Sequence, residues 1–240
     1  MELSRNSLKI KLFADGADID GMIEMASKSH IAGLTTNPTL MKKAGITDYV
    51  KFAKDVLKEI KTKPISFEVF SDEIEEMKRQ GEKIASWGDN VFVKIPITNT
   101  RGKSTKSVVS HLTERNIKVN ITAIMLNEQV ENIIDHLNPD VESYVSVFAG
   151  RIADTGRDPM PIIKNCLETL SSNRKSELIW ASPRELLNVF QANEAGCQII
   201  TATSDILKKL DLVGYDLSTY SLDTVKMFHD DALTSDFKID

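Results

Sequence analysis

Lys94 is the residue whose type and setting are most suggestive of chemistry. It stands in Val91-Phe92-Val93-Lys94-Ile95-Pro96, with apolar neighbours on both sides, and a lysine in so apolar a strand is seldom fully buried unless it is paired or functional. A neutral amine in such a place can attack a ketone carbonyl and give a Schiff base. That chemistry needs proton shuttles, for loss of water from the carbinolamine and for C–C cleavage, and a carboxylate within hydrogen-bond reach can serve. Asp15 and Glu68 are the candidates, each at the end of a short apolar run. Plainer readings stand beside these: Lys94 as a snorkelling strand-edge amine or the ion-pair partner of Glu68, and Asp15 as a helix N-cap. Asn37, Asn120, Thr122, Ser146 and Ser182 are neutral donors and acceptors suited to sugar hydroxyls, although such residues often serve as turns and caps. Arg151 and Arg184 offer planar forks that match a phosphate dianion.

The elements that must position these side chains are legible from periodicity. Short, largely β-branched apolar runs fall at 10–14, 33–36, 65–70, 91–95, 118–122, 143–148, 177–180 and 198–202. Between them lie amphipathic stretches at 18–29, 48–61, 72–86, 104–115, 126–137, 159–171, 184–195 and 204–210. Thr47-Asp48 and Ser71-Asp72 are N-cap candidates, and Pro159 and Pro183 suit a first helical position. Strands alternating with helices imply parallel βαβ units, and the 240-residue length matches the roughly 250 residues of a (β/α)8 barrel. The predicted fold is a single α/β TIM-barrel domain over 1–240, with an extra helix at 216–231 and a tail at 232–240. In such a barrel the C-terminal strand ends converge on one mouth. Asp15, Asn37, Glu68, Lys94, Asn120, Thr122, Ser146, Arg151, Ser182 and Arg184 all fall at or near those ends.

Composition narrows the partners. Thirty Lys and Arg against 35 Asp and Glu leave a net charge of −5, which argues against nucleic acid or an anionic membrane as the target. No run approaches the roughly 18 apolar residues of a membrane span. Cys166 and Cys197 cannot form a disulfide scaffold. With the polar start Met1-Glu2-Leu3-Ser4-Arg5, they lead to the expectation of a cytoplasmic protein. The four histidines show no metal-ligand spacing, no phosphate-cradling glycine loop is present, and neither a metal nor a cofactor is expected. Trp180 is read equally as pocket wall or core.

Several stretches, in order along the chain, resemble the transaldolase family and its short-chain branch that includes fructose-6-phosphate aldolase. They are Phe13-Ala14-Asp15-Gly16-Ala17-Asp18, Gly33-Leu34-Thr35-Thr36-Asn37-Pro38-Thr39-Leu40, Val93-Lys94-Ile95-Pro96, Asn120-Ile121-Thr122, Ser146-Val147-Phe148-Ala149-Gly150-Arg151 and Ala181-Ser182-Pro183-Arg184. The resemblance implies that Lys94 forms a Schiff base with a ketose phosphate and that Asp15 is the acid/base at the breaking C–C bond. It implies that Glu68 works with Thr122 and a water on the proton transfers of Schiff-base formation. Asn37, Asn120 and Ser146 would hold the dihydroxyacetone unit, and Arg151 and Arg184 the phosphate.

Glu68 and Phe148 look like the transaldolase branch, where the aldolase branch is expected to carry Gln and Tyr. Transfer of the three-carbon unit is therefore expected over its release. A lyase releasing dihydroxyacetone and a non-catalytic sugar-phosphate-binding barrel are the alternatives. Gly16, Val147 and Pro183 depart from the family pattern, and the polar segment 98–104 could contact an unusual sugar phosphate. The resemblance further implies pentose-phosphate metabolism and a homo-oligomer, with 216–231 packing on a neighbouring copy.

Overall fold

The computed structural model describes residues 7–235 and 237–239; the N-terminal stretch 1–6 and positions 236 and 240 lie outside the described residues. Eight parallel strands close on themselves in chain order. They are β1 (Lys11–Asp15), β2 (Ile31–Thr35), β3 (Ile65–Glu68), β4 (Val91–Pro96), β5 (Val119–Ile124), β6 (Ser143–Val147), β7 (Ser176–Trp180) and β8 (Ile199–Thr203). The helices are α1 (Ile19–Ser27), α2 (Pro38–Lys43), α3 (Tyr49–Glu59), α4 (Ile74–Ala85), α5 (Lys106–Thr113), α6 (Asn127–Ile134), α7 (Ala149–Ala153), α8 (Met160–Leu170), α9 (Leu187–Ala195), α10 (Ser204–Lys208) and α11 (Leu217–Thr234). The predicted (β/α)8 barrel with an additional C-terminal helix is the observed architecture. Among the described residues no helix is long and apolar enough to cross a membrane.

Side chains on a strand alternate between its two faces, and this sorts the barrel into two cores. One face meets the helices: Phe67, Val93, Ile95, Ile121, Val145 and Trp180 are buried there with Phe52, Met77, Leu112 and Ile163. The other face fills the lumen with a smaller cluster of Phe13, Phe92, Tyr144, Ile179 and Ile199. Phe92 and Tyr144 stack with ring centres 4.0 Å apart, and Phe13 meets Tyr144 edge-on at 5.7 Å. Two residues further along the same strands, on the same face, stand Asp15, Lys94, Ser146 and Thr201. An aromatic floor therefore lies directly under the polar mouth.

Several boundaries differ from the sequence reading. Asp48 does cap α3, accepting from Lys51 N at 2.9 Å, but Asp72 caps nothing. Its carboxylate accepts instead from the backbone N (2.7 Å) and hydroxyl (2.8 Å) of Thr100. This contact, with an Arg101–Glu73 ion pair, folds the polar segment 98–104 onto the loop before α4. Pro183 lies in a turn ahead of α9 and does not begin it. Short helices α2 and α7 interrupt what read as loops. Helix α11 runs on to Thr234, beyond the expected end at 231, because no Gly or Pro breaks it and the Thr234 hydroxyl donates back to Asp230 O.

Gly33 shows how tightly the lumen is packed: a Cβ there would meet the Phe13 ring at 2.5 Å. Because Phe13 is itself wedged against Tyr144, overpacking cannot be absorbed cheaply. Gly33→Ala is expected to cost about 1–3 kcal/mol and to lower the melting temperature by about 2–10 °C, read by thermal unfolding.

Candidate active site

The mouth at the C-terminal strand ends encloses a cavity of about 390 Å³. Ten of the eleven residues singled out from sequence line it: Asp15, Asn37, Glu68, Lys94, Thr122, Ser146, Phe148, Arg151, Ser182 and Arg184. Parallel register explains the central group. Glu68 pairs with Lys94 across β3 and β4, and Lys94 with Asn120 across β4 and β5. Lys94 is only 6% exposed. Its Nζ donates to the Thr36 carbonyl at 2.9 Å and lies 3.3 Å from Glu68 Oε2. The ion pair and the position in the cavity occur together, so the two sequence readings of Lys94 are not exclusive.

Asp15 is held from β2. Thr35 Oγ1 donates to its Oδ1 at 2.8 Å, and Asn37 Nδ2 donates to its Oδ2 at 3.2 Å. The cap of α1 is Asp18, not Asp15. Burial pushes the Asp15 carboxyl above the ordinary carboxylate range; the Lys94 charge and the hydrogen bonds from Thr35 and Asn37 pull the other way, while Glu68 adds to the rise. Desolvation wins, as expected for a carboxyl above an aromatic floor. Asn37 does double duty, since its Oδ1 caps α2 through Leu40 N at 2.9 Å. Its side chain is thereby fixed between helix and carboxylate.

The rim is shaped by unusual backbone. Ala123 and Ser182 both adopt left-handed φ values, 64° and 59°, uncommon for residues other than glycine. At Ala123 the β5–β6 register shifts between Ile121 and Ile124, so Thr122 and Ala123 both reach the cavity. At Ser182 the carbonyl passes so close to Gly150 that a Cβ on that residue would sit 1.7 Å away. Gly150 is thus required for the β6 and β7 loops to meet.

The two arginines differ. Arg151 stands over the Phe148 ring, its Cζ 5.9 Å from the centroid. Arg184 is engaged by Asp154, with Nε donating to Oδ1 at 2.9 Å and Nη2 to Oδ2. That bond depresses the Asp154 carboxyl and raises the Arg184 guanidinium. The polar segment 98–104 is not among the residues that line the cavity.

Comparison with known proteins identifies the family. Residues 12–239 match the family model described as transaldolase/fructose-6-phosphate aldolase. The chain belongs to that family. A "probable transaldolase" of Sulfurihydrogenibium sp. is 34% identical over 203 residues, covering 84% of this chain and 88% of the relative. Another from Thermoplasma volcanium is 33% identical over 205 residues, covering 84% and 87%. Among solved structures, tryptophan synthase subunit alpha from Campylobacter jejuni superposes with a TM-score of 0.55 at 13% identity, covering 85% of this chain and 90% of that one. That likeness concerns the barrel fold alone.

One of the eleven residues singled out from sequence does not line the cavity. Asn120 does not reach the cavity: it is completely buried, donating to Ser66 Oγ at 2.9 Å and accepting from Ser146 Oγ at 2.7 Å. Register is the reason, since Asn120 lies one layer below Thr122 on the same face of β5. It holds Ser146 in place from beneath. Thr35 and Thr201 line the cavity without having been singled out as site residues. Thr35 stood inside the Thr-Thr-Asn-Pro stretch, but nothing local marks Thr201. Trp180 is buried in the outer core. Cys166 and Cys197 are buried thiols, both pushed up to about 12 by burial.

Asn120→Ala is expected to strand the hydroxyls of Ser66 and Ser146 and cost about 2–3 kcal/mol, measured by urea unfolding, with a rise in KM as Ser146 loosens.

Proposed function

We propose that this protein transfers a dihydroxyacetone unit from a ketose phosphate to an aldose phosphate through a Schiff base on Lys94. The observation that carries the reading is the buried amine of Lys94, held inside a cavity 3.3 Å from Glu68 and facing the same space as Asp15. Membership of the transaldolase family and the names of its relatives support the same chemistry.

Glu68 is placed to receive a proton from the Lys94 ammonium, freeing the amine to add to the ketose carbonyl. The carbinolamine then loses water, with Glu68 and the Thr122 hydroxyl moving the protons. Thr122 Oγ1 is buried and has no hydrogen-bond partner among the described residues, so a water or a substrate hydroxyl is its natural mate. Asp15 takes the proton of the hydroxyl beside the C3–C4 bond. As that bond breaks, its electron pair flows into the iminium and leaves an enamine, while the departing fragment becomes an aldehyde. Addition of a second aldehyde reverses the sequence. Ser146 and Asn37 would grip the three-carbon unit and Asn120 would support Ser146. Ser182 and Phe148 would wall the pocket, and Arg151 would meet the phosphate first, since Arg184 must exchange Asp154 for it. Glu68 and Phe148 favour transfer over release. This reading places the protein in the pentose-phosphate chemistry of the cytoplasm.

The same reading includes self-association through α11. None of its 18 residues is buried, and Leu217, Leu222, Val225, Met227 and Phe228 are all at least half exposed. An apolar helix this uncovered suits the surface of a second copy.

Incubation with fructose 6-phosphate followed by borohydride is expected to add a reduced dihydroxyacetone adduct to Lys94, identified by mass spectrometry. Lys94→Met is expected to abolish the adduct and lower turnover more than about a thousandfold. Dihydroxyacetone released at the same rate with and without an aldose-phosphate acceptor would instead make the enzyme a lyase. Deleting residues from 216 onward is expected to reduce the mass measured by light scattering to that of one chain; an unchanged oligomer would exclude α11 as the contact.

A further inference from the structure

We propose that Thr201 is a positioning residue for Asp15, acting through Thr35 to reserve Oδ1 as a hydrogen-bond acceptor and leave Oδ2 to carry the proton. The proposal rests on the Schiff-base reading above and assigns a role to a residue outside the set that reading uses. Thr35 lies on β2 and Thr201 on β8, the two strands that flank β1. Their hydroxyl oxygens meet across β1, 2.6 Å apart, and Thr35 Oγ1 also donates to Asp15 Oδ1 at 2.8 Å. Both threonines are buried, at 3% and 6% exposure.

The direction of this chain follows from counting hydrogens. A threonine hydroxyl has one hydrogen and two lone pairs. With the Thr35 hydrogen committed to Asp15, the contact between the threonines is donated by Thr201. Donors therefore run from Thr201 to Thr35 to Oδ1, and each bond polarises the next. A proton on Oδ1 would reverse both hydroxyls. Thr201 would then need an acceptor of its own, and among the described residues its hydroxyl is matched with Thr35 Oγ1. A buried hydroxyl without a partner is costly, so the chain disfavours that state. A proton on Oδ2 disturbs neither threonine. Among the described residues Oδ2 receives the longer 3.2 Å bond from Asn37 alone.

In the cleavage step the substrate hydroxyl gives its proton to Oδ2. The C3–C4 electron pair passes to the iminium nitrogen, and the aldehyde leaves with no other reactant required. The charged groups acting on Asp15 are Lys94 from β4 and Glu68 from β3. Thr35 and Asn37 from the β2 side and Thr201 from β8 do not titrate, so a change at Thr201 alters hydrogen bonding without altering charge.

The test compares Thr201→Val, which removes the hydroxyl at nearly constant volume, with Thr201→Ser, which keeps it. The ionised carboxylate is the active form. Removing its indirect donor should therefore shift the acid limb of kcat/KM for fructose 6-phosphate upward by about half to one pH unit. Below that limb the loss should be about three- to tenfold. Thr201→Ser should restore the profile, and the rate of borohydride trapping on Lys94 should stay at the wild-type value in both variants. Titration of 13C-labelled aspartate carboxyls, with the Asp15 signal assigned through Asp15→Asn, should show the same upward shift in Thr201→Val. Thr201→Ala serves if the valine variant does not fold. A wild-type acid limb and wild-type Asp15 titration in a folded valine or alanine variant would overturn the proposal, as would a serine variant that behaves like valine. Failure of the wild-type protein to trap at Lys94 would sink the Schiff-base reading instead, while the carboxyl titration would still decide the relay.

Discussion

An ammonium group leaves water only where other groups replace its solvation, and the site is organised around that constraint at Lys94. Glu68 supplies the counter-charge at 3.3 Å and the Thr36 carbonyl accepts a hydrogen bond at 2.9 Å. Beneath them the stacked Phe92 and Tyr144 fill the lumen. Burial above this apolar floor pushes the Asp15 carboxyl upward. Lys94 and Asp15 thus share one arrangement, a polar layer set on an aromatic plug.

The barrel makes that arrangement through register and alternation. Strand register sets Glu68 beside Lys94 and Thr35 beside Asp15, and two-residue alternation stacks Asp15, Lys94 and Ser146 above Phe13, Phe92 and Tyr144. Asn120, one layer down, holds Ser146 from beneath, and Thr201 on β8 meets Thr35 from the side. At the rim, left-handed backbone at Ala123 and Ser182 and the close approach at Gly150 shape the set of residues that face the cavity. Left-handed backbone at residues with a Cβ is costly and persists where the surroundings overdetermine it.

Much of the site was legible in sequence because strand ends in a parallel barrel point to one place. Asp15, Glu68, Lys94 and Ser146 could be named from their positions at the ends of apolar runs. The less legible parts depend on which layer a residue occupies and on who its lateral neighbour is. Asn120 reads like a ligand and lies below the cavity. Arg184 reads like a free phosphate fork and is held by Asp154, 30 residues away in the chain. Asp72 reads like a helix cap and anchors the segment after β4. In each case a polar side chain had several partners of similar value, and only the folded chain selects among them.

By itself the sequence determined the eight βα units, the closed barrel they imply, and the types of group that gather at its mouth. These follow from hydrophobic periodicity and chain length, which act locally and summate along the chain. Tertiary structure alone decided the short helices α2 and α7, the bulge at Ala123 and the threonine chain behind Asp15. The threonine chain joins residues 166 apart across β1, and contacts of that kind depend on barrel closure, which no local pattern encodes.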